Sequence, residues 1–166
     1  MSKLHRALTW LFGAPEELTS GTGIVYLYRW RVIYRRAGSV YIHHFVADDG
    51  ARDPHDHPRA FWSLGLWGSY VEDRYWISEY GNGAFLYVLL KRYRAPWLSR
   101  FSPEHTHRIM LGSGTGCWTL VYVGPVVRPW GFWLREMDDF HLWLPRRVYV
   151  KYREEMLRQE RLLGNP

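Results

Sequence analysis

From Ile24 to Leu134, turns bearing glycine or proline cut the chain into eight or so short segments rich in β-branched and aromatic residues, and helical spacing survives only at the two ends. Short strands punctuated in this way describe an all-β sandwich or barrel. Aromatic residues make up 17% of the chain, with ten Trp and twelve Tyr, and such side chains suit wide pleated surfaces. At 166 residues the chain reads as a single domain, 1–166, with a barrel core at about 24–135.

In order, residues 2 to 12 place Leu4, Leu8 and Leu11 or Phe12 at helical spacing, and Gly13-Ala14-Pro15 stops the pattern. Pro15 to Gly23 reads as a connector. Ile24 to Arg36 alternates, with Tyr26, Tyr28, Trp30, Val32 and Tyr34 on a buried face and Arg29, Arg31 and Arg35 on a cationic one. Ala37-Gly38-Ser39 turns it into Val40–Val46 as a hairpin. Residues 48–54 form a polar loop. Ala60 to Tyr75 is the longest strand, bent at Gly65 or Gly68, because glycine inside a strand marks a bulge or tight bend. Tyr80 to Ala84 and Gly112 to Gly116 are turns. Strands follow at Phe85–Arg94, Pro96–Phe101, His105–Leu111 and Cys117–Val123, and Trp130–Leu134 closes the series. A surface helix at about 148–163 carries Tyr149, Tyr152, Met156 and Leu163 on one stripe and ends at Gly164.

The chemistry concentrates in Asp53-Pro54-His55-Asp56-His57-Pro58. In extended backbone His55 and His57 project to the same face, so two neutral imidazoles can share one borderline metal ion. Asp56 points away and serves as a loop hydrogen-bonder. A third ligand must come from elsewhere, and His107 is fifty residues beyond His57, room for two hairpins that return a strand alongside. Parity places His105 on the same face as His107, as a fourth ligand, an outer partner or the third ligand itself. His5, His43, His44 and His141 have no partner at chelating spacing and read as packed or exposed histidines.

These residues resemble the cupin superfamily, whose small β-barrel supplies His-x-His from a first motif and one more His from a second. His57, three residues, Phe61, six residues and Gly68 reproduce the first motif's spacing; Phe61 stands where a glutamate is common, and Gly50 precedes His55 by one residue fewer than usual. In the second motif His105 replaces a glycine and Leu111 an asparagine. The resemblance covers residues 24 to 135, where Trp118-Thr119-Leu120 and Trp130-Gly131-Phe132 also look like strands of small uncharacterised bacterial and phage cupins. It implies a metal held by His55, His57 and His107, as in the three-histidine set of thiol dioxygenases. Fe(II) is the expected ion, with Zn, Mn or Ni as alternatives.

Glu72 returns a carboxylate to the site if the bend at Gly68 turns it inward; otherwise it is an exposed strand residue paired with Arg74 or Arg92. Arg59 and Arg108 flank the ligand segments, and either can clamp a substrate carboxylate. Tyr70, Tyr87 and Tyr122 are candidate acids or oxyanion donors. The expected activity is that of a metal-dependent cupin enzyme acting on a small anionic substrate, with Fe(II) dioxygenation ahead of isomerase, lyase or hydrolytic chemistry. A second reading is a sugar- or nucleotide-binding module without catalysis. A third is nucleic-acid binding, from a net charge of +6 and from Arg29, Arg31, Arg35, Arg36, Lys91, Arg92, Arg94, Arg146, Arg147, Lys151 and Arg153. Cys117 stands alone, no run approaches a membrane span, and no secretory address stands out, so a cytoplasmic protein without membrane partners is expected, with homodimerisation through edge strands as a further expectation.

Overall fold

The computed structural model describes residues 2–20, 23–49, 53–81, 83–111, 116–135 and 140–162. Helix α1 (Lys3–Phe12) leads into the strands β1 (Glu16–Thr19), β2 (Val25–Arg35), β3 (Gly38–Phe45), β4 (Phe61–Tyr80), β5 (Gly83–Arg94), β6 (Trp97–Phe101), β7 (Thr106–Met110), β8 (Cys117–Val123), β9 (Gly131–Arg135) and β10 (Phe140–Pro145), and α2 (Arg146–Leu162) closes the chain. All strand pairings are antiparallel. Two sheets face each other. The first runs β1-β2-β3-β8 and then joins the front half of β4, which also pairs with β6. The second joins the back half of β4 to β7 on one side and to β5, β10 and β9 on the other.

Strand β4 therefore belongs to both sheets, and its middle has to turn. Gly68 sits at φ +83°, and a Cβ there would lie 2.1 Å from the Gly116 carbonyl oxygen, so only glycine fits. Just before it the β4–β8 register slips between Gly65 and Trp67. That slip changes which side chains face inward. Phe61 and Ser63 line the interior cavity from odd positions, whereas beyond the slip Tyr70 does so from an even one. Glu72 inherits the inward parity.

The bend falls at the two glycines singled out in the sequence, and the β2–β3 hairpin also forms as expected. Elsewhere the structure corrects the sequence reading. The connector after Pro15 contains β1, a short edge strand that Glu16 and Glu17 disguise through their low strand preference, and Arg29 of β2 grips Glu16 (2.7 Å). Trp130–Leu134 does not end the series, since β10 pairs along the whole of β9. On β2 the faces are used differently: Leu27 and Arg29 look into the cavity, while Tyr28 and Trp30 pack outward against α1. A second sheet-facing layer exists there, and Tyr34 at the strand's far end is exposed. Residues 50–52, 112–115 and 163–166, which include part of the expected loop, one expected turn and the helix-terminal Gly164, lie outside the described residues. Among the described residues no helix is long and apolar enough to cross a membrane.

Helix α1 begins at Ser2, whose side chain caps the His5 N–H. It buries His5 and Leu8, leaving Leu4 and Leu11 exposed at 51% and 58%. The His5 Nε2 meets His44 Nδ1 at 2.8 Å, and the His44 ring stacks on Trp118 at 4.0 Å. Burial, then the neighbouring His5, lowers the His44 pKa to about 4. A histidine depressed in the folded state stabilises the fold above its unfolded value of about 6.5, and that contribution drains away as pH falls towards 4. Urea denaturation at pH 7 and pH 4.5 should show the native chain losing about 1–2 kcal/mol more than His44→Phe, a figure reduced for the ring's partial exposure.

Candidate metal centre

The segment 54–57 is held by backbone on both sides. His55 forms isolated bridges with His107 of β7 and Phe132 of β9, the former through His55 N to His107 O (3.2 Å) and His107 N to His55 O (3.0 Å). Trp133 N donates to Pro54 O at 2.8 Å, and His57 N to Pro103 O at 2.9 Å. Asp56, between the two histidines, points the other way and is buried. It accepts from Gly131 N (2.7 Å), Arg128 Nη1 (2.9 Å) and Trp143 Nε1 (3.0 Å). The extended backbone that puts His55 and His57 on one face thus aims Asp56 into the β9–β10 layer as an anchor.

On the inner face the ligand atoms of His55, His57 and His107 lie within 4.8 Å of one another, with His57 Nε2 and His107 Nε2 3.0 Å apart. Nitrogens bound at roughly 2.0–2.1 Å to one ion, about 90° apart, sit about 3 Å from each other, so the spacing fits a shared divalent cation. The other nitrogen of His107, Nδ1, meets Glu72 Oε1 at 2.6 Å, and His105 Nε2 meets the same oxygen at 2.8 Å. A proton on His107 Nδ1, donated to Glu72, would leave the Nε2 lone pair facing His55 and His57. A carboxylate behind a ligating imidazole fixes tautomer and ring orientation in this way.

Glu72, His105 and His107 also form a cluster of potential ligands, but all three are buried and neither Glu72 nor His105 lines the cavity. The histidine trio does line it. The donor geometry therefore assigns the accessible position to His55, His57 and His107, with Glu72 and His105 behind them.

Burial and close neighbours shift the titration of His57, His105 and Glu72. Burial, and then the proximity of His107, His55 and His105, lowers the His57 pKa well below its ordinary value. Burial lowers His105 as well, against the opposing pull of Glu72. Burial alone would raise the Glu72 carboxyl, but the hydrogen bonds and charge of His105 and His107 hold it down to about 2. With its pKa lowered, His57 can accept a metal without first releasing a proton.

The cavity occupies about 440 Å³ between the sheets. Tyr26, Tyr41, Phe45, Phe61 and Phe101 supply much of its wall, and Arg29, Arg59 and Tyr70 also reach it. Burial, then Glu72, raises the Tyr70 pKa well above the phenol range, so it is a neutral hydroxyl. Arg59 donates to Gly124 O at 3.1 Å. Arg108 does not come to the cavity: alternation along β7 turns it to the opposite face, where Nε binds Asp73 at 3.1 Å. Tyr87 and Tyr122 are exposed and lie off the lining. His43, read from sequence as a packed or exposed histidine, lines the cavity together with Thr119. The signal for it was the odd-position parity of Tyr41, His43 and Phe45.

No protein-family model matches the chain, and no curated protein matches it. Solved structures do. The polyketide cyclase RemF from Streptomyces resistomycificus shares 14% identity over 91% of this chain and 93% of its own, with a TM-score of 0.55. An RmlC-like cupin from Shewanella frigidimarina shares 16% over 68% and 85%, TM-score 0.47. An uncharacterised protein with a double-stranded β-helix domain from Klebsiella pneumoniae shares 16% over 63% and 81%, TM-score 0.45. The fold is cupin-like, a jelly roll of two antiparallel sheets.

Removing the Asp56 carboxylate strands the Gly131 N–H, the Trp143 indole and the Arg128 guanidinium. Asp56→Ala should lose about 3 kcal/mol in denaturant unfolding, the cost of leaving such donors unsatisfied. Asp56→Asn, which keeps an acceptor, should lose less.

Proposed function

We propose that this chain is a metal-dependent enzyme acting on a small anionic substrate within the cavity, with Fe(II)-dependent dioxygenation as the leading reaction and redox-neutral chemistry on Zn, Mn or Ni as the alternative. The convergence of three imidazoles on the cavity wall supports this reading. A divalent ion held there would supply undiminished positive charge and open coordination positions for substrate. His55, His57 and His107 would hold it. Glu72 keeps the proton on His107 Nδ1 and so acts through that ring as a positioning residue. Arg59 brings positive charge to the cavity wall for a substrate anion, and Tyr70 offers a neutral hydroxyl there. The aromatic walls exclude water from the remainder. The same walls favour a second reading, a non-catalytic module that stacks a sugar or a nucleotide.

Elemental analysis of protein purified without an affinity tag separates these readings. Wild type should carry near-stoichiometric transition metal that disappears in His55→Ala/His57→Ala, with iron pointing to dioxygenation and zinc, manganese or nickel to the redox-neutral alternative. No metal in either, even after anaerobic supplementation with Fe(II), Mn(II) and Zn(II), would favour the binding module. Glu72→Gln should keep the site but weaken it about 10–100-fold in competition with a chelator, as expected for loss of an outer carboxylate.

A further inference from the structure

The cavity has a second polar feature, on the other sheet from His107. His43 of β3 and Thr119 of β8 are cross-strand partners, and both line the cavity. His43 Nε2 and Thr119 Oγ1 are buried, and neither has a hydrogen-bond partner. Burying such a group unpaired costs about 1–3 kcal/mol, and an apolar residue of similar size would avoid that cost. Among the described residues, unpartnered buried polar atoms also occur on Trp97 and Trp133, but neither lines the cavity. Two adjacent unsatisfied groups on the wall of an otherwise aromatic chamber are an arrangement that folding alone does not require.

Their chemistry restricts what they would meet. Burial, then nearby Arg29, lowers the His43 pKa to about 3, so its ring is neutral at physiological pH. A neutral imidazole and a hydroxyl do not balance an ionic charge, but together they can donate to and accept from one oxygen. Arg29, the partner of His43 across β2 and β3, adds a positive field favouring an oxygen with partial negative charge. Tyr41, Phe45 and Phe61 supply ring faces and edges that suit a flat conjugated body. About 440 Å³ lies within the range that accepts a drug-sized molecule.

We propose that His43 and Thr119 form a specificity site that reads an uncharged hydroxyl or carbonyl oxygen on an aryl carboxylic acid bound in the cavity. Placing the carboxylate at the histidine trio rests on the metal-centre reading above; the hydroxyl end stands on the cavity itself. His43 and Thr119 select the substrate and take no part in holding the metal.

The test is calorimetric titration of the Zn(II)-supplemented protein with benzoate, 3-hydroxybenzoate and 4-hydroxybenzoate. At least one hydroxybenzoate should bind wild type about tenfold more tightly than benzoate. That gain should vanish in Thr119→Val and in His43→Phe, while benzoate affinity holds or rises. Because Thr119 Oγ1 supports nothing in the fold, Thr119→Val should melt at the wild-type temperature or above it. A hydroxyl gain that survives in both variants, a wild type that prefers benzoate or binds none of the three acids, or a Thr119→Val melting point several degrees lower would overturn the proposal. His57→Ala separates the two ends. If it weakens all three acids equally and leaves the hydroxyl gain intact, both readings stand. If it changes no affinity while the gain still depends on Thr119, the metal-centre placement of the carboxylate fails and the specificity site stands.

Discussion

A fully buried carboxylate governs the interior of this molecule. Glu72 is 0% exposed, and an isolated charge in that position would be prohibitively costly. It is tolerable because His105 and His107 bring ring nitrogens to one of its oxygens at 2.8 and 2.6 Å. The same two bonds fix the rings. His107 cannot turn without abandoning the carboxylate, so its Nε2 stays directed at His57, and backbone bonds in both directions between residues 55 and 107 keep the His55–His57 segment against it. The fold is thereby committed to one arrangement of the cluster.

That carboxylate reaches the interior only because β4 slips. Along a regular strand Glu72 would share the parity of Trp62, which faces solvent, rather than that of Phe61 and Ser63. The register shift between Gly65 and Trp67, followed by the left-handed turn at Gly68, exchanges the faces midway. The same bend carries β4 from one sheet into the other, so the topology and the polarity of the core share a single cause. A side chain at position 68 would meet the Gly116 carbonyl, which ties the bend to the start of β8 as well.

Much of this was legible in the sequence. Turn residues marked most of the strands, glycines marked the bend, and the proline-bounded His-x-His marked the face that meets His107 on the cavity, with Asp56 turned away from it. What could not be read were quantities that depend on pairing. Alternation shows that β2 has two faces, but not that α1 covers the Tyr28–Trp30 face and leaves Leu27 and Arg29 for the cavity. Glu72 was suspended between inside and outside because one inserted residue reverses parity, and a sequence containing two glycines does not say whether the bulge is there. Arg108 adjoins His107 in sequence, yet its neighbour's inward orientation is the reason it points to Asp73. Strands β1 and β10 were missed where local preference is weak and pairing with an established strand decides the outcome.

Charge links the candidate site to the substrates proposed for it. Glu72 accepts its bonds from His105 and His107 from behind the trio, away from the cavity lining. Asp56, the other acid nearest the ligand segment, is turned into the β9–β10 layer and neutralised by Arg128. A divalent ion at the trio would therefore have no directly bound carboxylate to offset it, and Arg59 adds positive charge to the cavity lining. The chamber would attract an anion as the completing partner of the site, while its aromatic surface would reject one that is small and fully hydrated. Charge at one end and a flat apolar body at the other are the combination that satisfies both demands.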